Sequence, residues 1–103
     1  MANVNPPKKN QAWSCLVCLE DYANPGNFKL NPTLAAGDFD YSIDDGAFAT
    51  AEITVTVDPA TTASVKIVMT AAGMNGDVIL IKGVDQTSPK EWSDFALCIL
   101  TTA

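Results

Sequence analysis

Apolar and polar residues alternate along most of the chain with a period of two, which is typical of β-strands. In residues 52–57, Ile53, Val55 and Val57 share one face, while the intervening residues are polar. Alternation or short apolar runs elsewhere predict further strands, and residues 78–84 and 95–100 are apolar on both faces. The full set of predicted strands is 13–20, 28–30, 38–43, 52–57, 64–70, 78–84 and 95–100.

Turn-forming residues separate these strands. Asn24-Pro25-Gly26-Asn27 and Asp58-Pro59 end two of them. Asp44-Asp45-Gly46 predicts a hairpin in which Gly46 adopts the positive φ that such a turn requires. The pattern therefore predicts an all-β fold, a single small β-sandwich of about seven antiparallel strands.

Residues 70–77 break the alternation. We expect Thr70 to cap a single helical turn and Met74 to pack beneath it, after which Asn75-Gly76 turns the chain outward. This segment is interpreted as a corner at which the chain crosses from one sheet to the other.

The first twelve residues lack any periodicity and contain Pro6-Pro7, which favours extended backbone. We interpret residues 1–12 as a flexible, extended N-terminal arm and residues 13–103 as the β-sandwich domain. Such an arm either frays in solution or becomes ordered on a neighbouring subunit, and the sequence leaves both possibilities open.

Charge excludes several kinds of partner. The 103 residues suit one domain, and twelve acidic residues against six Lys and no Arg give a net charge of −6. Nucleic acids require a basic surface, and anionic membranes favour one, so neither is expected as a partner. The N-terminus lacks the apolar segment of a secretory signal, and the longest apolar run, Phe95–Leu100, is too short to span a membrane.

The three cysteines do not suggest a redox or zinc site. Cys15 and Cys18 lie three apart in a predicted strand, so their side chains point to opposite faces. Zinc sites usually need four ligands, and the chain has three Cys and no His. We expect Cys15, Cys18 and Cys98 to be buried as small apolar residues, and no cofactor is predicted.

Catalysis is not expected either. The absence of His removes the usual general base near neutral pH and every Ser/His or Cys/His pair. Asp38, Asp40, Asp44 and Asp45 lie within eight residues and could supply carboxylates. Paired carboxylates need a substrate cleft, which a domain of this size rarely has. The same four residues are weak candidates for a calcium site, although solvated charge on an outer face explains them better.

The two tryptophans, Trp13 and Trp92, are the largest side chains in the protein. Tryptophan is common at the centre of protein interfaces and is equally common in the core of a β-sandwich. The sequence does not separate these two roles, so both remain open.

Two stretches resemble a known group of proteins. They are Asn31–Phe48, with the sequence NPTLAAGDFDYSIDDGAF, and Met69–Val78, with the sequence MTAAGMNGDV. They are similar to a hairpin and a later corner in small virion proteins and fibre-associated modules of tailed bacteriophages, and the likeness spans roughly residues 31–84. Gly73 departs from that pattern, because many relatives carry Glu there and Gly weakens a helical turn.

This resemblance implies a β-sandwich accessory protein of a phage particle, made in the host bacterial cytoplasm and located in the virion. It would decorate the capsid or sit at the tail, neck or fibres, contacting other virion proteins as a homo-oligomer or symmetric array. The alternative is a ligand-binding module for carbohydrate or calcium in host recognition, using the acidic residues with an exposed Trp92 or Tyr41. The candidate interface residues are Pro6, Pro7, Lys8, Lys9, Trp13, Ile79, Ile81 and Trp92.

Overall fold

A computed structural model of the protein describes residues 6–102. The strands form two three-stranded antiparallel sheets, the first with the order β1–β4–β3 and the second with the order β2–β5–β6. This arrangement confirms the all-β prediction and is compatible with a small β-sandwich. The strands are β1 (Trp13–Cys18), β2 (Phe39–Ile43), β3 (Ile53–Val57), β4 (Ser64–Met69), β5 (Val78–Gly83) and β6 (Phe95–Leu100).

A seventh paired segment is shorter than predicted. Residues 28–30 meet the chain beyond β1 through an antiparallel bridge between Glu20 and Phe28. The backbone N–H of Lys29 donates to the carbonyl of Leu19 at 2.8 Å. The predicted Asn24–Asn27 turn closes this small hairpin, with Gly26 at a φ of 94°.

The core lies between the two sheets. On the central strand β4, Val65, Ile67 and Met69 are fully buried, and on the central strand β5 so are Ile79 and Ile81. Alternate residues of a strand share a face, so each central strand directs its apolar set at the opposite sheet. Burying a side chain of this size stabilises the fold by about 1.5–3 kcal/mol.

The corner between β4 and β5 contains the predicted helical turn with Met74 beneath it, but the residue at the N-cap position is Ala71 rather than Thr70. A short 3₁₀ helix, Ala72–Met74, joins the first sheet to the second, and the side chain of Met74 is fully buried. The N–H of Gly73 donates to Thr70 Oγ1 at 3.3 Å. A Cβ on Gly73 would lie 2.8 Å from Met69 Cε and 2.9 Å from Glu52 Cβ, so the corner is too crowded for a larger residue.

The hairpin after β2 differs from the prediction in one detail. Asp44 and Asp45 adopt positive φ values of 49° and 62°, whereas Gly46 does not. The Gly46 N–H donates to the Ile43 carbonyl at 2.9 Å, so the turn belongs to the primed class common in hairpins. Gly46 is needed for space instead, since a Cβ there would lie 2.9 Å from the Ile43 carbonyl oxygen.

The N-terminal segment is not free over its described part, and the prediction of a flexible arm is wrong there. Lys8 forms a parallel bridge with Thr102, and the Asn10 N–H donates to the Met74 carbonyl at 2.9 Å. Lys9 Nζ lies 2.7 Å from Asp77 Oδ1. The remainder of the predicted arm, residues 1–5, lies outside the described residues, as does Ala103.

Candidate contact surface

Asp38 does not lie on a solvated outer face, contrary to the prediction. It is 2% exposed, and its two carboxylate oxygens accept hydrogen bonds from the backbone N–H groups of Ala35 (2.9 Å) and Gln86 (3.2 Å). A buried carboxylate is tolerated when backbone donors satisfy it. Asp38 therefore joins the loop before β2 to the loop after β5.

Asp44 also serves the fold. Its Oδ1 accepts hydrogen bonds from the N–H groups of Asp77 and Val78, at 2.9 and 3.0 Å. The hairpin after β2 is thereby tied to the corner that precedes β5. Asp40 and Asp45 do not join these two: within residues 6–102, no group of three Cys, Asp or Glu side chains is placed to hold a metal ion.

A third structural carboxylate, Asp85, was not singled out from the sequence. It is buried, and it accepts hydrogen bonds from the N–H and hydroxyl of Thr87 (2.9 and 2.6 Å) and from the N–H of Glu91 (2.7 Å). Burial raises the pKa of Asp85, but these hydrogen bonds outweigh burial and lower that pKa below its ordinary value. The Asp-x-Thr spacing, which is typical of a turn closed by an Asp side chain, was the available signal.

A cleft lies between the edge strands β2 and β3, at the side where the two sheets meet. It has a volume of about 280 Å³, at the lower limit for a small-molecule pocket. The residues that line it carry no ionisable side chain, so they could offer hydroxyl and backbone groups only. They are Leu34, Ala35, Ala36, Gly37, Phe39, Thr50, Ile53, Thr54 and Val55.

Three of the predicted interface residues belong to the core. Ile79, Ile81 and Trp92 have no exposed surface, so a partner cannot reach them while the domain is folded. Trp92 precedes the last strand, stacks on Phe39 with ring centroids 5.3 Å apart, and donates from Nε1 to the Thr33 carbonyl at 3.2 Å. Their assignment as contact residues is therefore wrong.

The other predicted interface residues lie together at one end of the domain. Pro6, Lys8 and Lys9 are exposed, while Pro7 and Trp13 are half-buried. The hydrogen bond and charge of Asp77 raise the pKa of Lys9 above its ordinary value, so Lys9 is a cation throughout the physiological range.

The two aromatic residues predicted to bind a ligand in the alternative function are also buried. Trp92 is fully buried and Tyr41 is 6% exposed. Neither ring can stack on a sugar, and Asp38 and Asp44 already accept hydrogen bonds from backbone groups. The residues predicted to bind a ligand do not form a shared site.

A different apolar surface stands out on the outer face of the first sheet. Leu16, Phe28 and Leu30 are 63%, 65% and 71% exposed. Leu16 and Cys18 lie on the outward face of β1, and Glu20 continues that face because alternate residues of a strand share a side. Phe28 is paired with Glu20 and therefore lies on the same face. We call Leu16, Phe28 and Leu30 the β1 patch. The alternation in residues 13–20 separates Leu16 from Cys15 and Val17 without saying which face is outward, and the hairpin that adds Phe28 and Leu30 could not be assigned to either face from the sequence.

The outer face of the second sheet also carries apolar residues, but its own chain covers part of it. The segment after the hairpin returns alongside β2 and pairs with its edge through Ala49, and Ser42 Oγ donates to the Gly46 carbonyl at 2.7 Å. Phe48 lies against Lys82, with Nζ 4.1 Å from the ring centroid. Val78 and Leu80 are consequently just over one third exposed, whereas Leu100, at the sheet edge, is largely exposed.

The cysteines correct another prediction. Cys15 is half-buried, and burial raises the pKa of its thiol. Cys18 and Cys98 are exposed, so the expectation that all three are buried is wrong. Cys18 lies on the outer face of the first sheet and Cys98 on the outer face of the second. Since β1 pairs with β4 rather than with β6, these two thiols do not approach each other.

No family model, curated protein or solved structure matches this chain. Across residues 6–102, no helix is long and apolar enough to cross a membrane.

Proposed function

We propose that this protein is a non-enzymatic structural component of a bacteriophage particle and acts through protein–protein contacts. The β1 patch is the observation that carries the contact role. The partners under this proposal are other virion proteins, in the capsid, neck, tail or fibres, with the protein itself arranged as a homo-oligomer or symmetric array.

Burial of the β1 patch would release apolar surface from water. Each of its three side chains is more than 60% exposed, and covering one completely is worth about 1.5–3 kcal/mol. Single exposed apolar residues are ordinary on a protein surface, but clustered ones mark interaction sites. Leu16, Phe28 and Leu30 share one face of one sheet, so a single partner surface could cover all three.

Charge and cleft chemistry favour a protein partner. A net charge of −6 with no Arg disfavours nucleic acid, and the cleft between β2 and β3 is lined by no ionisable side chain. Catalysis by this lining would rest on Thr hydroxyls without an adjacent base. An assembly role requires none of these groups.

The phage assignment rests on the resemblance of residues 31–48 and 69–78. Several residues of these stretches have roles in the fold, such as Asp44 in the hairpin and Thr70 at the corner. These roles explain why such motifs would be retained in a structural family. The phage assignment and the contact role of the β1 patch are tested by two separate experiments.

Location is tested by quantitative mass spectrometry of purified particles released by cells that produce the protein. We expect the protein in the particles at a fixed copy number. A number comparable to the major shell protein would assign it to capsid decoration, and a far smaller one to the neck, tail or fibres. Its absence from particles would overturn the phage proposal.

The contact role is tested by the double substitution Phe28→Ser with Leu30→Ser. Both side chains are largely exposed, so we expect thermal unfolding to change little while incorporation into particles falls at least tenfold. The matched control is Thr54→Ala with Thr56→Ala, two exposed residues on the outer face of β3 in the same sheet. Normal incorporation of the Phe28/Leu30 variant, with the control also normal, would remove the β1 patch as the contact surface.

A further inference from the structure

The outer edge of β3 carries backbone groups that no other part of the described chain pairs with. Just beyond β3, the Asp58 N–H donates to the Ser64 carbonyl at 2.9 Å and continues the β3–β4 ladder. In an antiparallel ladder alternate residues face the partner strand, so the N–H and carbonyl groups of Ile53, Val55 and Val57 point away from β4. Within the part of the chain that the structure describes, these groups have no backbone partner.

This edge also lacks the features that usually prevent association. The strand Ile53–Val57 contains no charged residue and no Pro, and all five of its residues are β-branched. Such an edge readily accepts a further strand. The edge of β2 on the same side of the sandwich differs, because Tyr41 and Ala49 exchange two backbone hydrogen bonds there, at 3.0 and 2.9 Å.

The cleft between β2 and β3 lies beside the open edge and would receive side chains from an added strand. Ile53 and Val55 line this cleft together with Leu34 and Phe39. Ile53, Val55 and Leu34 pack against the core but are only half-buried. Residues that are paired across two strands direct their side chains to the same face. The residues of an added strand that pair with Ile53 and Val55 would therefore cover this apolar surface.

Acidic residues flank the open edge at both ends. Glu52 precedes β3 and Asp58 follows it, and the Glu52 carboxylate accepts a hydrogen bond from the Thr70 hydroxyl. Among the described residues, neither acid forms an ion pair with a Lys. The cleft itself is lined by no ionisable side chain. A segment with an uncharged centre and a basic residue at each end would complement this arrangement of charge.

The same charges disfavour a second copy of this chain as the occupant. In the symmetric antiparallel register centred on Val55, Ile53 of one copy would pair with Val57 of the other. That register would also place Glu52 directly opposite Asp58. Like charges in directly opposite positions destabilise a pair of strands. The edge therefore favours a different chain that carries basic residues.

We propose that the open edge of β3 binds an extended segment of another protein, with small apolar residues at alternate positions and Lys or Arg at each end. The segment would pair with the free backbone groups of Ile53, Val55 and Val57 and add a fourth strand to the first sheet. β1 and β3 are the opposite edges of that sheet, so this site is separate from the β1 patch. The inference holds whatever partner the β1 patch contacts.

Amide hydrogen exchange on the full chain with a synthetic peptide tests the proposal. The probe is the capped heptapeptide KVTVTVK, whose three Val residues would pair with Ile53, Val55 and Val57. At saturating peptide we expect exchange of these three protein amides to slow by about tenfold or more. The Thr54 and Thr56 amides face β4, so their exchange should not change. No slowing at peptide concentrations up to about 1 mM would overturn the proposal.

The charge requirement is tested on both molecules. The peptide EVTVTVE, with Glu in place of both Lys, should bind about tenfold more weakly or worse, since its ends would meet the two acids. Glu52→Gln with Asp58→Asn should weaken binding of KVTVTVK by about threefold to tenfold. The matched control is Asp45→Asn with Asp94→Asn, which removes the same number of exposed charges away from β3 and should bind normally. Equal binding of both peptides by the wild type would overturn the requirement for a basic partner.

Two further measurements locate the bound peptide. Phe28→Ser with Leu30→Ser removes most of the β1 patch, and this variant should bind KVTVTVK as tightly as the wild type. A loss of binding would place the peptide on the β1 patch and overturn the proposal for the edge. Without peptide, protection of the Val55 amide that rises with protein concentration would show a second copy at the edge, and would overturn the assignment to a different chain.

Discussion

The two sheets differ in how completely their own chain covers them. In the second sheet each strand contributes at least one buried inward side chain, although Ile43, Phe95 and Leu97 are half-buried, and the segment after the hairpin pairs with the edge of β2 through Ala49. The buried inward side chains are Phe39, Tyr41, Ile79, Ile81 and Ile99. In the first sheet full burial is confined to β4, while the inward residues of β1 and β3 are only half-buried. The first sheet also carries the β1 patch on its outer side.

This difference separates the source of stability from the surface available for contact. The strands of the second sheet contribute five buried apolar side chains against three from the first, and Phe39 and Phe95 form an aromatic cluster with Trp92. Substitution of surface residues in the first sheet should lower the free energy of unfolding only slightly, because more of its apolar area already faces water. A domain built this way can keep its fold while one face adapts to a partner.

The two tryptophans give the largest expected contrast. Trp92→Ala removes a fully buried ring and its hydrogen bond, and should lower the free energy of unfolding by about 3–5 kcal/mol. Trp13→Ala on half-buried β1 should cost less than about 2 kcal/mol, since part of its ring already contacts water. Urea unfolding of both variants measures the contrast. Equal losses of unfolding free energy in the two variants would mean that the two sheets contribute equally to stability.

The corner that joins the sheets offers a second test. Gly73→Ala improves helix propensity, yet its Cβ would meet Glu52 Cβ and Met69 Cε. We expect a net loss of about 1–3 kcal/mol from overpacking, seen as a lower unfolding midpoint. Ala72→Ser, at the exposed neighbouring position, is the control and should change little. A stabilised Gly73→Ala variant would show that the corner has room to adjust.

Substitution of Asp85 tests how much its carboxylate stabilises the loop that leads to Trp92. Asp85→Asn places an amide against three hydrogen-bond donors and should cost about 2 kcal/mol at neutral pH. Because the folded-state pKa of Asp85 lies below its ordinary value of 3.8, its contribution is complete above that value. The contribution disappears as the pH falls through the lowered folded-state pKa.

The measurement is unfolding by denaturant at neutral pH and in acid, for the wild type and Asp85→Asn. The difference in the free energy of unfolding between the two proteins should become smaller only in acid. The exposed Asp94→Asn, which loses a surface ion pair with Lys90, serves as the control and should differ by less than about 1 kcal/mol. A gap that persists unchanged in strong acid would contradict the role given to the Asp85 carboxylate.

The smallest expected effect comes from the β1 patch. Leu16→Ala should alter the free energy of unfolding by no more than about 0.5 kcal/mol, because the side chain is largely exposed. The same substitution at Leu19, three residues further on and buried, should cost about 2–5 kcal/mol. Thermal and urea unfolding compare the two. A large loss at Leu16 would mean that this residue packs within the domain and is unavailable to a partner.

The inward and outward faces of a strand could be predicted from the sequence wherever polar and apolar residues alternate along it. In β3 and β4 the alternation assigned the inward residues correctly, and the corner from Thr70 to Met74 followed from its local pattern. In β5 both faces are apolar, so the alternation holds no contrast. The prediction of Ile79 and Ile81 as contact residues is wrong for this reason, because Val78 and Leu80 occupy the outer face.

The roles of the carboxylates and of Trp92 depend on partners distant in sequence. Asp38 accepts a hydrogen bond from Gln86, and Trp92 donates one to Thr33, at separations of 48 and 59 residues. No local pattern encodes such contacts. The Asp44 and Asp45 turn was predicted from its composition, but the link from Asp44 to Asp77 arises only once the hairpin and the corner meet.

The positions of Cys18 and Cys98 have a chemical consequence. Each thiol is exposed, and they lie on opposite outer faces of the sandwich, so the folded chain is bivalent towards thiol-reactive reagents. Oxidation cannot close a ring between them within one folded molecule. It would instead join molecules end to end into linear, reducible chains, while two different labels attached at these sites would report the thickness of the sandwich.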